Sequence, residues 1–98
     1  MGADSERERL AMAELTVSVV AADHEVWSGK ATQIIARTTE GEIGILPGHE
    51  PLLAILGSGE VRVTTLDGAV IKANADDGFL SFENDTATVV ARNAELVP

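Results

Sequence analysis

The sequence predicts an all-β fold, a flattened β-sandwich or barrel of about eight to ten short antiparallel strands. Apolar and polar residues alternate with a period of two in several runs, as in LTVSVV from Leu15 onwards. β-Branched residues are frequent in these runs, and turn-forming residues separate the runs at intervals of roughly eight to twelve positions. No segment carries the apolar spacing of an amphipathic helix.

The candidate strands follow one another with short connections between them. In chain order they are residues 14–21, 31–38, 42–46, 52–56, 60–66, 69–75, 79–83 and 86–92. Glycine-containing segments at 28–29, 57–59 and 76–78 are predicted to be turns. Asp67 and Gly68 give the strongest signal, because an Asp-Gly pair between alternating runs is typical of a two-residue hairpin with a type I′ turn.

The chain of 98 residues is short enough to form one domain. Residues 1–11 are predicted to be a polar, disordered tail, and the folded domain is predicted to occupy residues 12–98. We expect no secretory leader, because the start of the chain lacks an apolar core of signal-peptide length. No apolar run approaches the length of a membrane span, which is about eighteen residues.

Composition excludes several classes of partner and site. The formal net charge is −9, and clustered lysines and arginines of the kind that bind nucleic acid are lacking. Unaided docking on an anionic membrane needs a similar basic patch, so it is not expected either. The chain has no cysteine, which rules out a disulfide framework and a thiolate metal site.

Candidate catalytic and metal-binding patterns fail when their spacing is considered. The Gly-Lys pair at 29–30 resembles the end of a phosphate-binding loop, but His24 replaces the first glycine and no hydroxyl residue follows. His24 and His49 lack the spacing of a zinc site, and a structural role explains each of them. The adjacent acids at 76–77 would point to opposite faces of a strand. We therefore predict no catalytic residue, no metal site and no cofactor.

Residues 38–52, with the sequence TTEGEIGILPGHEPL, form the most unusual segment of the chain. Pro47 and Pro51 fix two backbone φ angles and stiffen the segment. The glycines at 41, 44 and 48 allow tight turns and close approach of a partner. A preorganised surface loses little entropy on association, so we interpret the segment as a docking surface. The alternative is that these residues serve only as turns between strands.

Several motifs together resemble the N-terminal β-sandwich of the epsilon subunit of rotary ATP synthase. They are WSG at 27–29, EGEIGILPGHEPL at 40–52, GEV at 59–61, GFL at 78–80, and Ala91 with Ala94. Asp77 stands where the family usually has a glycine, a substitution that is well tolerated if the position needs a positive φ. The resemblance covers residues 12–98 and ends before the family's helical hairpin. We therefore expect neither the inhibition of ATP hydrolysis nor the nucleotide binding that this hairpin provides.

The resemblance implies a non-catalytic rotor subunit in the central stalk of an F-type ATP synthase. Such a subunit docks on gamma and on the c ring, helps to couple proton flow to ATP synthesis, and lies peripherally at the cytoplasmic face of the bacterial cell membrane. The implied c-ring contacts are Glu40, Gly41, Glu42, Ile43 and Gly44. The implied gamma contacts are Gly48, His49, Glu50, Pro51 and Leu52. The alternative is a free-standing β-sandwich module that binds a small ligand or a peptide in a concave apolar pocket.

Overall fold

The computed structural model describes residues 14–98, so the predicted tail and the predicted domain start at residue 12 lie outside the described residues. The expected all-β fold is confirmed, because residues 14–98 form strands and no helix. The strands are β1 (Leu15–Val20), β2 (Glu25–Thr38), β3 (Gly41–Ile45), β4 (Leu52–Thr65), β5 (Val70–Glu83) and β6 (Thr86–Val97). The described part of the chain contains no helix that could cross a membrane.

The prediction of eight to ten short strands is wrong, because three predicted turns lie inside long strands. The glycines at 28–29, 57–59 and 76–78 fall within β2, β4 and β5, each of which has 14 residues. Asp77 has a φ of 54°, and the register of β5 with both of its neighbours is the same before and after it. β5 therefore continues through this left-handed residue without a change of register.

The strands close into a ring, and one pair of them is parallel. The sheet order is β1-β6-β5-β4-β2-β3, and an additional pairing joins β1 to β2. β1 runs parallel to β6, so the predicted wholly antiparallel arrangement is wrong for this pair. The other pairs are antiparallel. Closure leaves β3 outside the ring, paired with the second half of β2.

Two layers of strands enclose one apolar core. One layer consists of β1, the first half of β2, and the halves of β4, β5 and β6 near the β5–β6 turn. The other layer consists of β3, the second half of β2, and the opposite halves of β4, β5 and β6. The buried cluster consists of Leu15, Val17, Val19, Ala31, Ile34, Ala36, Ile45, Leu56, Val61, Val63, Ala75, Leu80, Phe82, Ala87, Val89 and Ala91. No polar side chain is buried within residues 14–98, so burial of apolar surface stabilises the described domain.

The two-residue type I′ turn lies at a different hairpin from the one that the sequence predicted. β4 and β5 form the predicted hairpin, but its loop has three residues, because Thr65 and Ala69 are joined by a backbone hydrogen bond of 2.8 Å. Gly68 has a φ of 91°, which fits the three-residue loop with a glycine in the left-handed region. Asn84 and Asp85, with φ angles of 51° and 56°, form the two-residue turn between β5 and β6 that has the type I′ signature.

Candidate docking surface

The β2–β3 hairpin presents the first half of the candidate segment. Thr39 and Glu40 form its turn, and Gly41 has a φ of 120°. The Thr38 hydroxyl accepts a hydrogen bond of 3.1 Å from the Glu40 amide and donates one of 2.7 Å to the Gly41 carbonyl. Residues 40–42 are exposed, so the predicted acidic tip is a hydrogen-bonded hairpin end that faces solvent.

Gly59 of β4 allows this hairpin to lie close to the strand. The Thr39 amide donates a hydrogen bond of 3.0 Å to the Ile55 carbonyl. A Cβ on Gly59 would lie 3.0 Å from the Arg37 Cβ, which is tighter than ordinary packing, whereas a Cβ on Gly57 would lie 3.5 Å from the Thr39 methyl group. The hairpin tip is therefore held against the first half of β4.

The two glutamates of the tip have different surroundings. The Glu42 carboxylate lies 3.1 Å from the Arg62 guanidinium, which also lies 3.3 Å from Glu60. The Glu40 carboxylate forms no ion pair with any residue in the range 14–98. Glu40 is therefore the tip acid whose charge is available to a partner, whereas the charge of Glu42 is partly compensated within the domain.

The second half of the segment is a tight turn tied to a neighbouring turn. The His49 amide donates a hydrogen bond of 3.1 Å to the Leu46 carbonyl, with Pro47 and Gly48 at the two central positions. Gly48 has a φ of 88°, and the Pro-Gly pair with this angle is typical of a type II turn. The Gly48 amide donates a hydrogen bond of 2.7 Å to a carboxylate oxygen of Asp85, so the turn is fastened to the β5–β6 turn.

His49 makes its observed contacts within the domain. Its ring meets the ring of buried Phe82 edge to face, with centroids 5.9 Å apart and an interplanar angle of 88°. Its Nδ1 lies 2.7 Å from the Glu50 carbonyl, so Nδ1 donates in this arrangement. These contacts fit a structural role, but the residue is also exposed, so the contact with gamma implied for His49 stays a prediction.

Sequence reasoning missed an apolar strip on the outer face of the first layer. Leu53 and Ile55 are 68% and 56% exposed, and Phe79 is 39% exposed. The strand register places Ile55 opposite Phe79, Phe79 opposite Val90, and Val90 opposite Val20, so the strip crosses four strands. Its signal in the sequence was the LLAIL run from residue 52, in which both faces of a strand are apolar.

The remaining candidates supply no enclosed site. A groove of about 520 Å³ runs beside the hairpin tip, and another of about 410 Å³ is lined mainly by polar residues of β5, β6 and the β1–β2 turn.

The acidic and histidine side chains of the described residues form no metal site. Asp76 accepts a hydrogen bond of 2.8 Å from Ser58, and no group of His, Cys, Asp or Glu in residues 14–98 could hold a metal ion. The pKa of Asp23 lies below its ordinary value, because His24 is hydrogen-bonded to it and attracts its charge.

Comparisons with known proteins agree on one family. The family model for the ATP synthase delta/epsilon chain β-sandwich domain matches residues 14–97. The chain is 52% identical over 84 residues to the ATP synthase epsilon chain of Streptomyces coelicolor, a match that covers 86% of this chain and 68% of the relative. It is 51% identical over 85 residues to the ATP synthase epsilon chain of Micrococcus luteus, covering 87% of this chain and 93% of the relative.

The fold is shared with a chain of a solved structure. A chain in the cryo-EM structure of the Euglena gracilis mitochondrial ATP synthase, in the OSCP/F1/c-ring assembly, superposes with a TM-score of 0.80 at 23% identity. That match covers 86% of this chain and 54% of the other chain, and at this identity it supports the fold alone. The family model and the two bacterial relatives establish the relationship: this chain belongs to the ATP synthase delta/epsilon chain β-sandwich family.

Proposed function

We propose that this chain is a non-catalytic rotor subunit of an F-type ATP synthase that connects gamma to the c ring. The observation that carries the proposal is its identity of 51–52% with chains named ATP synthase epsilon chain, over nearly all of the described domain. ATP is made in other subunits of such a complex, and this domain serves as a mechanical connector between the proton-driven ring and the shaft.

The contact with gamma uses residues 48–52 together with the apolar strip. Leu53 directly follows this segment on β4 and begins the strip that continues through Ile55 and Phe79. Exposed apolar side chains that lie next to one another are the usual mark of a surface that a partner covers. Charged residues are depleted at the centre of such contacts, and the strip itself carries none.

The contact with the c ring uses the hairpin tip, residues 40–44. Glu40 supplies a negative charge there that no residue in the range 14–98 pairs with, and this charge suits basic or polar residues in the loops of the ring. Partly exposed pairs of this kind are worth about 0–1 kcal/mol each, so they orient the contact more than they strengthen it. The domain reaches the cytoplasmic face of the membrane through the ring and does not bind lipid itself.

Coupling requires that the two contacts be mechanically connected. The tip is hydrogen-bonded to β4 through Thr39 and Ile55, and residues 46–51 are fastened to the β5–β6 turn through Asp85. Both surfaces thus belong to one closed sheet with a single core. A rigid connector of this type transmits torque because it has no loose segment between the two contacts that would deform first.

Complex formation with gamma tests the proposal. The chain is mixed with the gamma subunit from the same source organism, and the mixture is analysed by size-exclusion chromatography with light scattering. We expect a complex with one copy of each chain. Two separate peaks, with both proteins shown to be folded by circular dichroism, would count against the proposed function.

A further inference from the structure

Asp85 connects three separate segments at one end of the domain. It occupies the β5–β6 turn with a φ of 56°. Its carbonyl accepts a hydrogen bond of 2.8 Å from the Thr16 amide at the start of β1. Its carboxylate accepts the hydrogen bond of 2.7 Å from the Gly48 amide. A single half-buried residue thus joins β1, the β5–β6 turn and the segment assigned to gamma.

The hydrogen bond from Gly48 to Asp85 differs from the other hydrogen bonds of residues 46–51 in connecting them to another part of the domain. The other hydrogen bonds of this loop, from His49 to Leu46 and between His49 and Glu50, lie within it. Among the hydrogen bonds of residues 14–98, the one to Asp85 alone ties the loop to another element. Because its acceptor is a carboxylate, it is stronger than a bond between neutral groups.

We propose that Asp85 is a positioning residue for the docking loop, residues 46–51. By accepting the Gly48 amide, it fixes the type II turn and therefore the direction in which Glu50, Pro51 and Leu52 face a partner. The loop can then associate without first losing conformational freedom. This inference rests on the proposed contact with gamma, although the positioning itself is a property of the free chain.

Three variants distinguish the effect of the hydrogen bond to Gly48 from the effect of the β5–β6 turn in which Asp85 lies. Asp85→Gly removes the acceptor, and glycine keeps the positive φ without strain. Asp85→Asn keeps an acceptor oxygen and also tolerates this φ. Asn84→Gly is the matched control, because it removes a side chain from the same turn at a φ of 51° without touching the bond to Gly48.

The first measurement is amide hydrogen exchange of Gly48, followed by NMR in the free 98-residue chain. We expect Asp85→Gly to accelerate this exchange at least tenfold, with the exchange of the Val89 amide in β6 unchanged. Asp85→Asn and Asn84→Gly should stay within threefold of the wild type. The proposal is overturned if Asp85→Gly leaves Gly48 exchange unchanged, if Asn84→Gly accelerates it equally, or if Asp85→Asn behaves like Asp85→Gly.

The second measurement is the affinity of the same four proteins for gamma, by isothermal titration calorimetry. Asp85→Gly should weaken binding at least fivefold, whereas the other two variants should stay within twofold of the wild type. Equal affinity of Asp85→Gly and the wild type would overturn the positioning role. If the wild type does not bind gamma at all, the proposed function fails, and the exchange of Gly48 still decides whether Asp85 positions the loop.

Discussion

Gly78 of β5 lies so close to Val90 of β6 that a Cβ on Gly78 would be 2.0 Å from the Val90 carbonyl oxygen. The same atom would lie 2.6 Å from the Cα of Ala91. These are backbone atoms of a paired strand and cannot rotate away as a flexible side chain could. The contact occurs next to Asp77, which has a positive φ of 54°. The close approach of the two backbones therefore requires glycine at position 78.

Gly78→Ala should destabilise the domain by at least about 3 kcal/mol, because either β5 or β6 must move to admit the methyl group. This is a large share of the roughly 5–10 kcal/mol that holds a small domain folded. Urea denaturation followed by circular dichroism measures the change. Gly57→Ala is the matched control: its Cβ would make only an ordinary contact of 3.5 Å with Thr39, and its effect should stay within about 1 kcal/mol. Equal destabilisation by both variants would contradict this account of the close approach at Gly78.

The glycines that lie inside strands also show how far the sequence could predict the fold. Alternation in β1, β4 and β6 was sufficient to predict strands in these segments. The glycines at 57–59 and 76–78 predicted interruptions, but a glycine that allows two strands to approach closely has the same sequence signal as one in a turn. The parallel pairing of β1 with β6 joins segments about seventy residues apart, and no local pattern encodes such a contact.

Leu53→Ser should weaken binding to gamma about tenfold, which corresponds to about 1.4 kcal/mol. Leu53 is 68% exposed in the free domain, so the substitution should hardly change its stability. Leu66→Ser is the matched control, because Leu66 is 53% exposed and follows the opposite end of β4. Calorimetric titration with gamma measures both. A loss of affinity in Leu66→Ser as large as that in Leu53→Ser would remove the apolar strip from the proposed interface.

Glu40→Gln should weaken association with the c ring more than Glu42→Gln does. Glu40 lacks an ion-pair partner within the described domain, whereas Glu42 is held by Arg62 at 3.1 Å. An exposed pair contributes up to about 1 kcal/mol, so we expect a two- to fivefold effect that fades as salt concentration increases. The affinity of the complex of each variant with gamma for detergent-solubilised c ring measures this effect. A larger effect from Glu42→Gln, or none from either variant, would contradict the assignment of the tip.

The stability of the β4–β5 loop should depend on the ionisation of Asp67. The pKa of Asp67 lies below its ordinary value, because its carboxylate accepts a hydrogen bond from the Thr65 hydroxyl and another from the Ala69 amide. The unfolded chain therefore binds this proton more tightly than the folded chain does. The stabilisation is complete above the ordinary aspartate pKa of about 3.9 and is lost as the pH falls through the folded-state value.

The corresponding test compares the wild type with Asp67→Asn by urea denaturation. The wild type should exceed the variant in stability more at about pH 6 than at about pH 3, because the advantage needs the charged carboxylate. A difference between the two proteins that is the same at both pH values would show that the charge of Asp67 does not stabilise the loop.

The candidate site was predictable where a residue's role depends on its own chemistry. The prolines and glycines of residues 38–52 predicted a stiff segment, and the turn at Pro47 and Gly48 agrees with this. The role of Asp85 was not predictable, because its partner Gly48 is 37 residues away and is brought near it only by closure of the sheet. The pairing of Glu42 with Arg62 was hidden for the same reason, since β3 and β4 are not adjacent strands in the sheet.

Proton pumping in membranes that lack epsilon tests the central claim most directly. Vesicles containing the synthase of the same source organism are depleted of epsilon, this chain is added back, and ATP-driven acidification is followed with a fluorescent pH indicator. We predict that the added chain binds and restores pumping in proportion to its occupancy, with ATP consumption then tied to proton movement. Vesicles that bind the chain stoichiometrically and hydrolyse ATP, but still fail to pump protons, would contradict the proposed role as a coupling rotor subunit.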